Sequence, residues 1–219
     1  MRLYLNLSKN KQTVPFDYQV NLVGTLHKWL GQNNFHDAVS LYSISWLKGY
    51  NKKQSKGLDF PNGAEWFISS PNKNFIKAVV NGIMEDASFS FGMNVQDVMI
   101  RETPIFRESE KFFVASPIFI KRTIDNEQIF FFHNQIESDN YLTETLKTKL
   151  RKMNLPDKDV NIRFDKDYLK PTIKAVNYNG IVNKGSLCPI IIEGTPEQIA
   201  FAWDVGVGNS TGIGFGALV

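Results

Sequence analysis

Residues 204–219 read Asp-Val-Gly-Val-Gly-Asn-Ser-Thr-Gly-Ile-Gly-Phe-Gly-Ala-Leu-Val, the most distinctive stretch of this 219-residue chain. Its five glycines stand at positions 206, 208, 212, 214 and 216. Glycine tolerates positive φ and lets a second backbone come close, and a run of unobstructed N–H groups can cradle phosphates. The glycines alone leave two readings open: a tight turn that feeds a terminal strand, or a loop that contacts a ligand.

The elements expected on either side of this stretch limit the kinds of loop that it can form. A helix is expected from Pro196 to about Trp203, because proline suits a first helical turn, and a short strand over 215–219 ends the chain. Since the loop follows a helix rather than opening one, it matches neither the Rossmann fingerprint nor a Walker loop, which also needs Gly-Lys-Ser/Thr. A nucleotide-binding enzyme is therefore a distant alternative.

Hydrophobic periodicity predicts the order β-α-β-β-α-β in the first half of the chain, which is the ferredoxin-like arrangement. The expected strands span 2–7, 41–47, 65–69 and about 89–101. The expected helices span about 18–30, with Asp17 as N-cap and Gly31 as the end, and 74–84. A polar loop is expected at 49–57.

The same order is expected again in the second half. Its predicted elements are a strand over 112–122 hairpinned with 128–133, a helix over 138–153, strands over 160–164, 173–178 and 187–193, and the terminal helix and strand. We therefore predict an α+β fold of two tandem ferredoxin-like (RRM-like) domains, 1–104 and 105–219, with a C-terminal glycine-rich loop.

Composition excludes several classes of protein. Hydrophobic residues make up 42% of the chain, which allows a sizeable core and argues against disorder. A single cysteine, Cys188, cannot form an intramolecular disulfide, and no Cys/His cluster suggests zinc, so we expect no metal, no cofactor and a cytoplasmic location. No apolar run is long enough for a membrane span. A net charge of +3 permits nucleic-acid binding without demonstrating it.

Several motifs together resemble one family. The ending GIGFGALV, with Gly206, Gly208, Gly214 and Gly216 in a Gly-x-Gly, five residues, Gly-x-Gly pattern, is similar to the C-terminal signature of the CRISPR-associated repeat-RNA endoribonucleases (Cas-six family). VPFDYQVNLVGTLHKWL resembles the first helix of that family, and FHDAVSLYSISWL resembles its segment of a histidine followed by an aromatic strand. The resemblance covers nearly the whole chain.

The resemblance gives two of the three histidines a role. His36 stands where the catalytic histidine of the family precedes the aromatic strand, and His27 stands at a second catalytic position on the first helix. His133, beside three phenylalanines, is interpreted as a packed or surface residue. RNA carries its own nucleophile, the 2′-hydroxyl, so cleavage needs only a base and an acid, and imidazoles suit both tasks near neutral pH. We expect His36 as base and His27 as acid, with the exchange of these roles left open.

One position departs from the family pattern. Many members carry a lysine just before the aromatic strand, where it stabilises charge on the phosphate, and Ser40 stands there in this chain. Lys48 and Lys52 are candidates to supply that charge. The departure also keeps open a different class of function, a catalytically inactive RNA-binding subunit of an effector complex.

The resemblance and the charge pattern together predict the binding residues. The residues expected to contact RNA are Lys48, Lys52, Lys53, Lys56, Gly206, Gly208, Asn209, Ser210, Gly212, Gly214 and Gly216. A second basic cluster at Lys147, Lys149, Arg151 and Lys152 is either a solvated face or a further contact. The expected partner is CRISPR repeat RNA, with other effector-complex subunits and a second copy of the chain as further candidates, and no membrane.

Overall fold

The computed structural model of the chain describes residues 1–31, 40–54 and 56–219, and for residues 52–54 it describes the backbone alone. Eight elements form the first half. They are β1 (Arg2–Leu7), α1 (Gln19–Leu30), β2 (Ser43–Ile44), β3 (Lys52–Gln54), β4 (Gly57–Asp59), β5 (Ala64–Ser69), α2 (Lys73–Glu85) and β6 (Val95–Arg101). The polar stretch 49–57, predicted as a loop, includes β3 and the first residue of β4.

The first half is a ferredoxin-like unit built on a four-stranded antiparallel sheet in the order β2-β5-β1-β6. Alternation along β1 turns Leu3 and Leu5 into the core, where both are fully buried. Two helices cover that face, and their buried residues include Leu22, Leu26 and Phe75. Period-2 and period-3.6 patterns therefore meet in a single core, as predicted.

Two details of the first half differ from the expectation. Helix α1 has Tyr18 rather than Asp17 at its N-cap, and no side chain caps it. Strand β2 covers two residues rather than the seven predicted, because the backbone N–H of Trp46 donates to Ala115 O of the other half at 3.2 Å. Ser45 N still donates to Phe67 O of β5 at 3.0 Å and Lys48 still pairs with Glu65, so only the middle of the segment after β2 turns from its own sheet to the second half.

Nine elements form the second half. They are β7 (Ser109–Phe112), β8 (Ile120–Ile124), β9 (Glu127–Phe131), α3 (Glu137–Lys152), β10 (Asn161–Phe164), β11 (Thr172–Tyr178), β12 (Ile181–Leu187), β13 (Ile190–Glu193) and α4 (Pro196–Val205). The sheet order is β10-β13-β7, and residues 217–219 extend it by pairing with 113–115. This half is also ferredoxin-like, with β8–β9 and β11–β12 as added hairpins. The boundary between 104 and 105 stays a prediction.

The periodicity misses strand β12 and merges two strands into one. Asn179 and Gly180, with φ of 51° and 81°, form the turn between β11 and β12. An Asn-Gly pair between alternating runs is a strong hairpin signal, so the sequence contains the information that predicts β12. The strand expected over 187–193 ends and restarts at Pro189, which has no N–H to donate to a ladder.

The two halves meet at a small buried junction. The Arg2 guanidinium, 1% exposed, lies 3.9 Å from the Phe67 ring centroid and 3.4 Å from that of Trp203, and donates to Trp203 O at 3.1 Å. Asp204 accepts a hydrogen bond from Thr103 Oγ1 at 2.7 Å and another from Ser69 Oγ at 3.2 Å. Burial lowers the pKa of Arg2 to about 10. A cation–π stack and a hydrogen-bonded carboxylate therefore join residues far apart in the chain.

Cys188 lies in the core of the second half. The thiol is 2% exposed and its sulfur lies 3.7 Å from Asp165 O. Burial, assisted by the nearby Asp165 carboxylate, raises the pKa of this thiol to about 11. None of the helices in the described parts of the chain is long and apolar enough to cross a membrane.

Two helical glycines provide a matched test of the α1–α2 contact. A Cβ at Gly82 in α2 would lie 2.0 Å from Trp29 O, whereas a Cβ at Gly24 in α1 would meet nothing within 4 Å. Gly82→Ala should lower the free energy of unfolding by about 2 kcal/mol or more, because the helices must separate. Gly24→Ala should raise it by about 0.5–1 kcal/mol through helix propensity. Urea unfolding of both variants measures this, and equal effects would contradict the close helix contact.

Candidate functional site

The glycine-rich segment, residues 206–216, adopts backbone conformations that glycine favours. Gly206, Gly208, Gly214 and Gly216 have φ of 70°, 73°, 92° and 61°. Ser210 is also left-handed, with φ of 59°, and opens a short 3-10 turn over Thr211–Ile213. Side chains are strained at such φ values, so the glycine pattern follows from the path of the backbone.

Close packing between backbone segments is a second reason why these positions require glycine. A Cβ on Gly216 would lie 1.9 Å from Val207 O, and one on Gly206 would lie 2.7 Å from Gly216 O. The Val207 N–H donates to Gly216 O at 2.9 Å. The two ends of the segment therefore touch each other, and this closure leads α4 into the terminal strand.

The middle of the segment packs against the first half. Thr211 Oγ1 donates to Tyr42 O at 2.9 Å, and Trp46 Nε1 donates to Gly214 O at 2.8 Å. A Cβ on Gly212 would lie 2.5 Å from Ser40 Oγ. The 3-10 turn also packs beside α1 and β2. The glycine-rich segment thus joins the C-terminal half to the region that follows His36 in the sequence.

Lys149 of α3 supports the segment from behind. Its ammonium is 4% exposed and donates to Val205 O at 3.3 Å, Gly206 O at 3.1 Å and Thr211 Oγ1 at 3.2 Å. The two carbonyls belong to the end of α4, where a cation is favoured by the helix dipole. Burial lowers the pKa of Lys149 to about 7. The charge is thus held by neutral acceptors.

A cavity of about 610 Å³ opens beside the segment. Its walls come from α3, from the start of β8, from the glycine-rich segment and from Ser40. The polar residues that line it include Lys121, Arg122, Lys149, Asn209 and Ser210. The walls of this cavity therefore carry three cationic side chains, Lys121, Arg122 and Lys149.

Comparison with known proteins assigns the family. Residues 100–219, more than half of the chain, match the family described as CRISPR associated protein Cas6, C-terminal. The chain belongs to the Cas6 family. The CRISPR-associated endoribonuclease Cas6 1 of Methanocaldococcus jannaschii is 26% identical over 237 residues, covering 100% of this chain and 92% of that protein.

Solved structures share the fold over the full length. A Cas6-related protein from Pyrococcus furiosus superposes with a TM-score of 0.87 at 21% identity, covering 100% of this chain and 97% of that one. A RAMP protein described as binding different RNA substrates has the same TM-score at 19% identity, with 100% and 98% covered. At these identities the likeness concerns the fold, and it agrees with the two ferredoxin-like halves of the Cas6 chain.

Of the two histidines predicted to be catalytic, the structure describes His27. His27 is half-buried in the last turn of α1. His36 lies outside the described residues, so the pairing of the two imidazoles stays a prediction. Ser40, at the position where many Cas6 proteins carry lysine, lies against Gly212 and lines the cavity. His133 packs in the second half as expected, with its backbone N–H donating to Ser186 Oγ at 3.0 Å.

The predicted RNA-contacting residues fall into two groups. Lys48 and Lys56 are exposed near the β3–β4 hairpin, which also carries Lys52 and Lys53. No described contact joins Lys48 or Lys56 to the glycine-rich segment. Within that segment the N–H groups of Gly206, Gly214 and Gly216 donate to protein carbonyls. The N–H groups of Gly208 and Ser210 have no acceptor in the described parts of the chain. RNA contact stays a prediction for both groups.

Sequence reasoning named Lys149 only within a basic cluster that was either a solvated face or a further contact, and it missed Lys121 and Arg122 of the cavity wall. Lys149 follows Leu142 by seven residues and Leu146 by three, so it shares their buried stripe on α3. That spacing distinguishes Lys149 from its basic neighbours Arg151 and Lys152, which are exposed. Arg122 and Lys121 carried no motif signal. Among the described residues, no three His, Cys, Asp or Glu side chains lie close enough to hold a metal ion.

The buried ammonium predicts a specific pH dependence of stability. Its pKa is about 7 in the folded chain and about 10.4 in an unfolded one, so the unfolded state binds more protons between these values. Stability from this group therefore rises as pH increases from 7 to 9, by as much as about 2 kcal/mol. Lys149→Met should lose this rise, whereas Lys152→Met, an exposed lysine on the same helix, should keep it. Denaturant unfolding at both pH values checks this, and parallel slopes for all three proteins would contradict it.

Proposed function

We propose that this chain is an endoribonuclease that cleaves CRISPR precursor RNA within the repeat. Family membership supports this proposal, together with a relative named as a CRISPR-associated endoribonuclease. The structural observation that carries it is the packing of the glycine-rich segment against the first half. That segment packs beside α1, which bears His27, and against Ser40 and Tyr42, which follow His36 in the sequence. Three stretches that are distant in sequence, each part of the family resemblance, thus meet around one region.

The proposed chemistry is internal transesterification. A base, assigned to His36, removes the proton of the 2′-hydroxyl, and O2′ attacks the adjacent phosphorus. The bond from phosphorus to O5′ breaks, and an acid, assigned to His27, protonates O5′. The products are a 2′,3′-cyclic phosphate and a 5′-hydroxyl end. Because the RNA supplies the nucleophile and imidazoles move the protons, the scheme requires no metal.

Ser40 favours a second candidate function, an inactive repeat-RNA-binding subunit of an effector complex. A serine hydroxyl has no charge to stabilise the phosphate in the transition state. Cations from the second half, on the wall that Ser40 also lines, are a source of positive charge in its place. Binding of other subunits and pairing with a second copy stay predictions from the family resemblance.

The nucleophile can be tested without a mutation. A repeat RNA with 2′-deoxyribose only at the cleavage site should bind with unchanged affinity and stay intact, because O2′ is absent. Gel analysis of the product ends should show a cyclic phosphate for the all-ribose RNA. Cleavage of the deoxy-substituted RNA would overturn the proposed chemistry. Tight binding without cleavage of the unmodified repeat would favour the inactive subunit.

Histidine variants test the acid and the base. His27→Ala and His36→Ala should each lower the single-turnover rate by about 10²-fold or more, because one proton-transfer group is lost. RNA affinity should change by only a few-fold. His133→Ala is the matched control, since this histidine packs in the second half, and it should cleave at the wild-type rate. Equal losses in all three variants would point to a fold defect instead of catalysis.

Metal independence is a separate expectation. Cleavage should proceed at an unchanged rate in excess EDTA, because the scheme uses no metal-bound water. A magnesium-dependent ribonuclease assayed in the same buffer controls for effective chelation. Activity lost in EDTA and restored by magnesium would refute the two-histidine scheme while leaving repeat-RNA cleavage itself intact.

A further inference from the structure

The outer edge of β6 is an unpaired strand edge. This strand ends the sheet order β2-β5-β1-β6, and its ladder is with β1. At its start the Val95 N–H donates to Ala87 O at 2.9 Å, but from residue 96 to residue 101 no group in the described parts of the chain hydrogen-bonds to the outer backbone edge. The stretch holds neither proline nor lysine, two residues that often prevent pairing at sheet edges. The first sheet therefore has room for one more strand.

Hydrogen bonds at the two ends of β1 show which of its residues bond to β6. The Ser70 N–H donates to Met1 O at 3.0 Å, so the odd-numbered residues of β1 direct their N–H and C=O groups to β5. The Ser8 N–H donates to Asn94 O at 2.8 Å, which agrees with even-numbered residues that direct theirs to the β6 side. The backbone groups of β1 thus alternate between its two neighbours.

This alternation determines the free backbone groups of β6. Tyr4 and Met99 are partners in the register, so Met99 directs its N–H and C=O groups to β1. Because successive residues of a strand alternate, Val98 and Ile100 direct theirs outward. Those outward groups have no partner within the residues that the structure describes. A neighbouring strand can pair with them only in a register that sets its own outward residues opposite these two.

The side chains of β6 carry unpaired charge and exposed apolar surface. Asp97 and Arg101 are exposed, and neither forms an ion pair in the part of the chain that the structure describes. Met99, which lies between them on the same face of the sheet, is 44% exposed. On the other face Ile100 is 50% exposed, although its partner in the register, Leu3, is fully buried. The edge thus presents one negative and one positive group on either side of an exposed methionine.

We propose that β6 pairs antiparallel with β6 of a second copy of this chain, about a twofold axis at Met99. The pairing joins two four-stranded sheets into one continuous sheet. It sets Val98 opposite Ile100 of the second copy, and Ile100 opposite Val98, so outward groups meet outward groups. Each of these two pairs exchanges both of its N–H···O bonds. The Met99 side chains of the two copies lie against each other at the axis.

Charge complementarity selects both the partner and the register. The same pairing sets Asp97 opposite Arg101 of the second copy, and the twofold axis repeats this contact, so two opposite-charge pairs form. Both are non-hydrogen-bonded pairs, in which cross-strand side chains lie closer together. Moving the axis to Val98 or to Ile100 would still match the backbone groups, but it would separate both charge pairs. A second copy is therefore the partner whose charges fit this edge by symmetry.

The interface is separate from the proposed catalytic function. Strand β6 carries none of the residues assigned to RNA cleavage or RNA contact, and the pairing requires no RNA. Because each copy uses its one free β6 edge, the assembly closes at two chains. The inference therefore holds whether or not this chain cleaves repeat RNA.

Charge-reversal variants of the intact chain test the interface by sedimentation equilibrium. The wild type should form a dimer of twice the 25.0 kDa mass of one chain. Asp97→Arg and Arg101→Asp should each weaken dimerisation about tenfold or more, because like charges then face each other at both pairs. An equimolar mixture of the two variants should recover the dimer, because opposite charges then face each other again. Lys174→Asp, which reverses an exposed charge on the β11–β12 hairpin, is the matched control and should dimerise as the wild type does.

A backbone variant tests the hydrogen bonds of the same edge. Ile100→Pro removes an N–H that points outward and leaves the β1–β6 ladder intact, so the chain should fold and its dimerisation should weaken about tenfold or more. A wild type that stays monomeric, or association that continues beyond the dimer, would overturn the interface. Charge-reversal variants that dimerise as the wild type does, or that do not recover on mixing, would overturn it as well. A dimer that fails to cleave repeat RNA would contradict the proposed function and leave the β6 interface standing.

Discussion

The close approach of the two ends of the glycine-rich segment is the constraint on which the rest of the second half depends. Val207 O lies where the β-carbon of any other residue at 216 would stand. That contact turns the chain back from the end of α4 and delivers residues 217–219 to the strand edge at 113–115. The terminal strand completes the second sheet, and Ala217 joins Phe67 and Ala115 in the apolar contact between the halves. The fold thus requires these glycines whether or not the segment binds a ligand.

The polar groups around the segment form a continuous link between the two halves. Lys149 of α3 donates to Thr211, and Thr211 donates to the carbonyl of Tyr42 in the first half. Trp46 donates from the same side to Gly214. These hydrogen bonds fix the two halves relative to each other, because each donor is buried or half-buried and has a defined acceptor. The same hydrogen bonds hold the region around Ser40 in a fixed position relative to the cationic wall of the cavity.

The sequence predicts most of the fold because its helices and strands have clear periods. Strand β1 and helices α2 and α3 lie within two residues of the expected bounds. Strand β2 is shorter because Trp46 pairs with Ala115, a contact between distant parts of the chain that no local pattern contains. The site is predicted less completely. The family resemblance predicts site roles for the glycines and for His27 and His36, and these roles stay predictions. The sequence leaves the basic cluster of α3 open between a solvated face and a further contact, because the burial of Lys149 depends on how α3 packs.

The environment of Cys188 gives the molecule a built-in reporter of its own opening. The thiolate, the form that reacts with alkylating reagents, is scarce at neutral pH because the pKa of this thiol is raised to about 11, and the sulfur is shielded from solvent. Since the chain has one cysteine, labelling occurs at a single place, in the core between β12 and β13. The rate of modification therefore measures how often the second half transiently unfolds, and occupancy of any ligand that stabilises that half would be recorded as slower labelling.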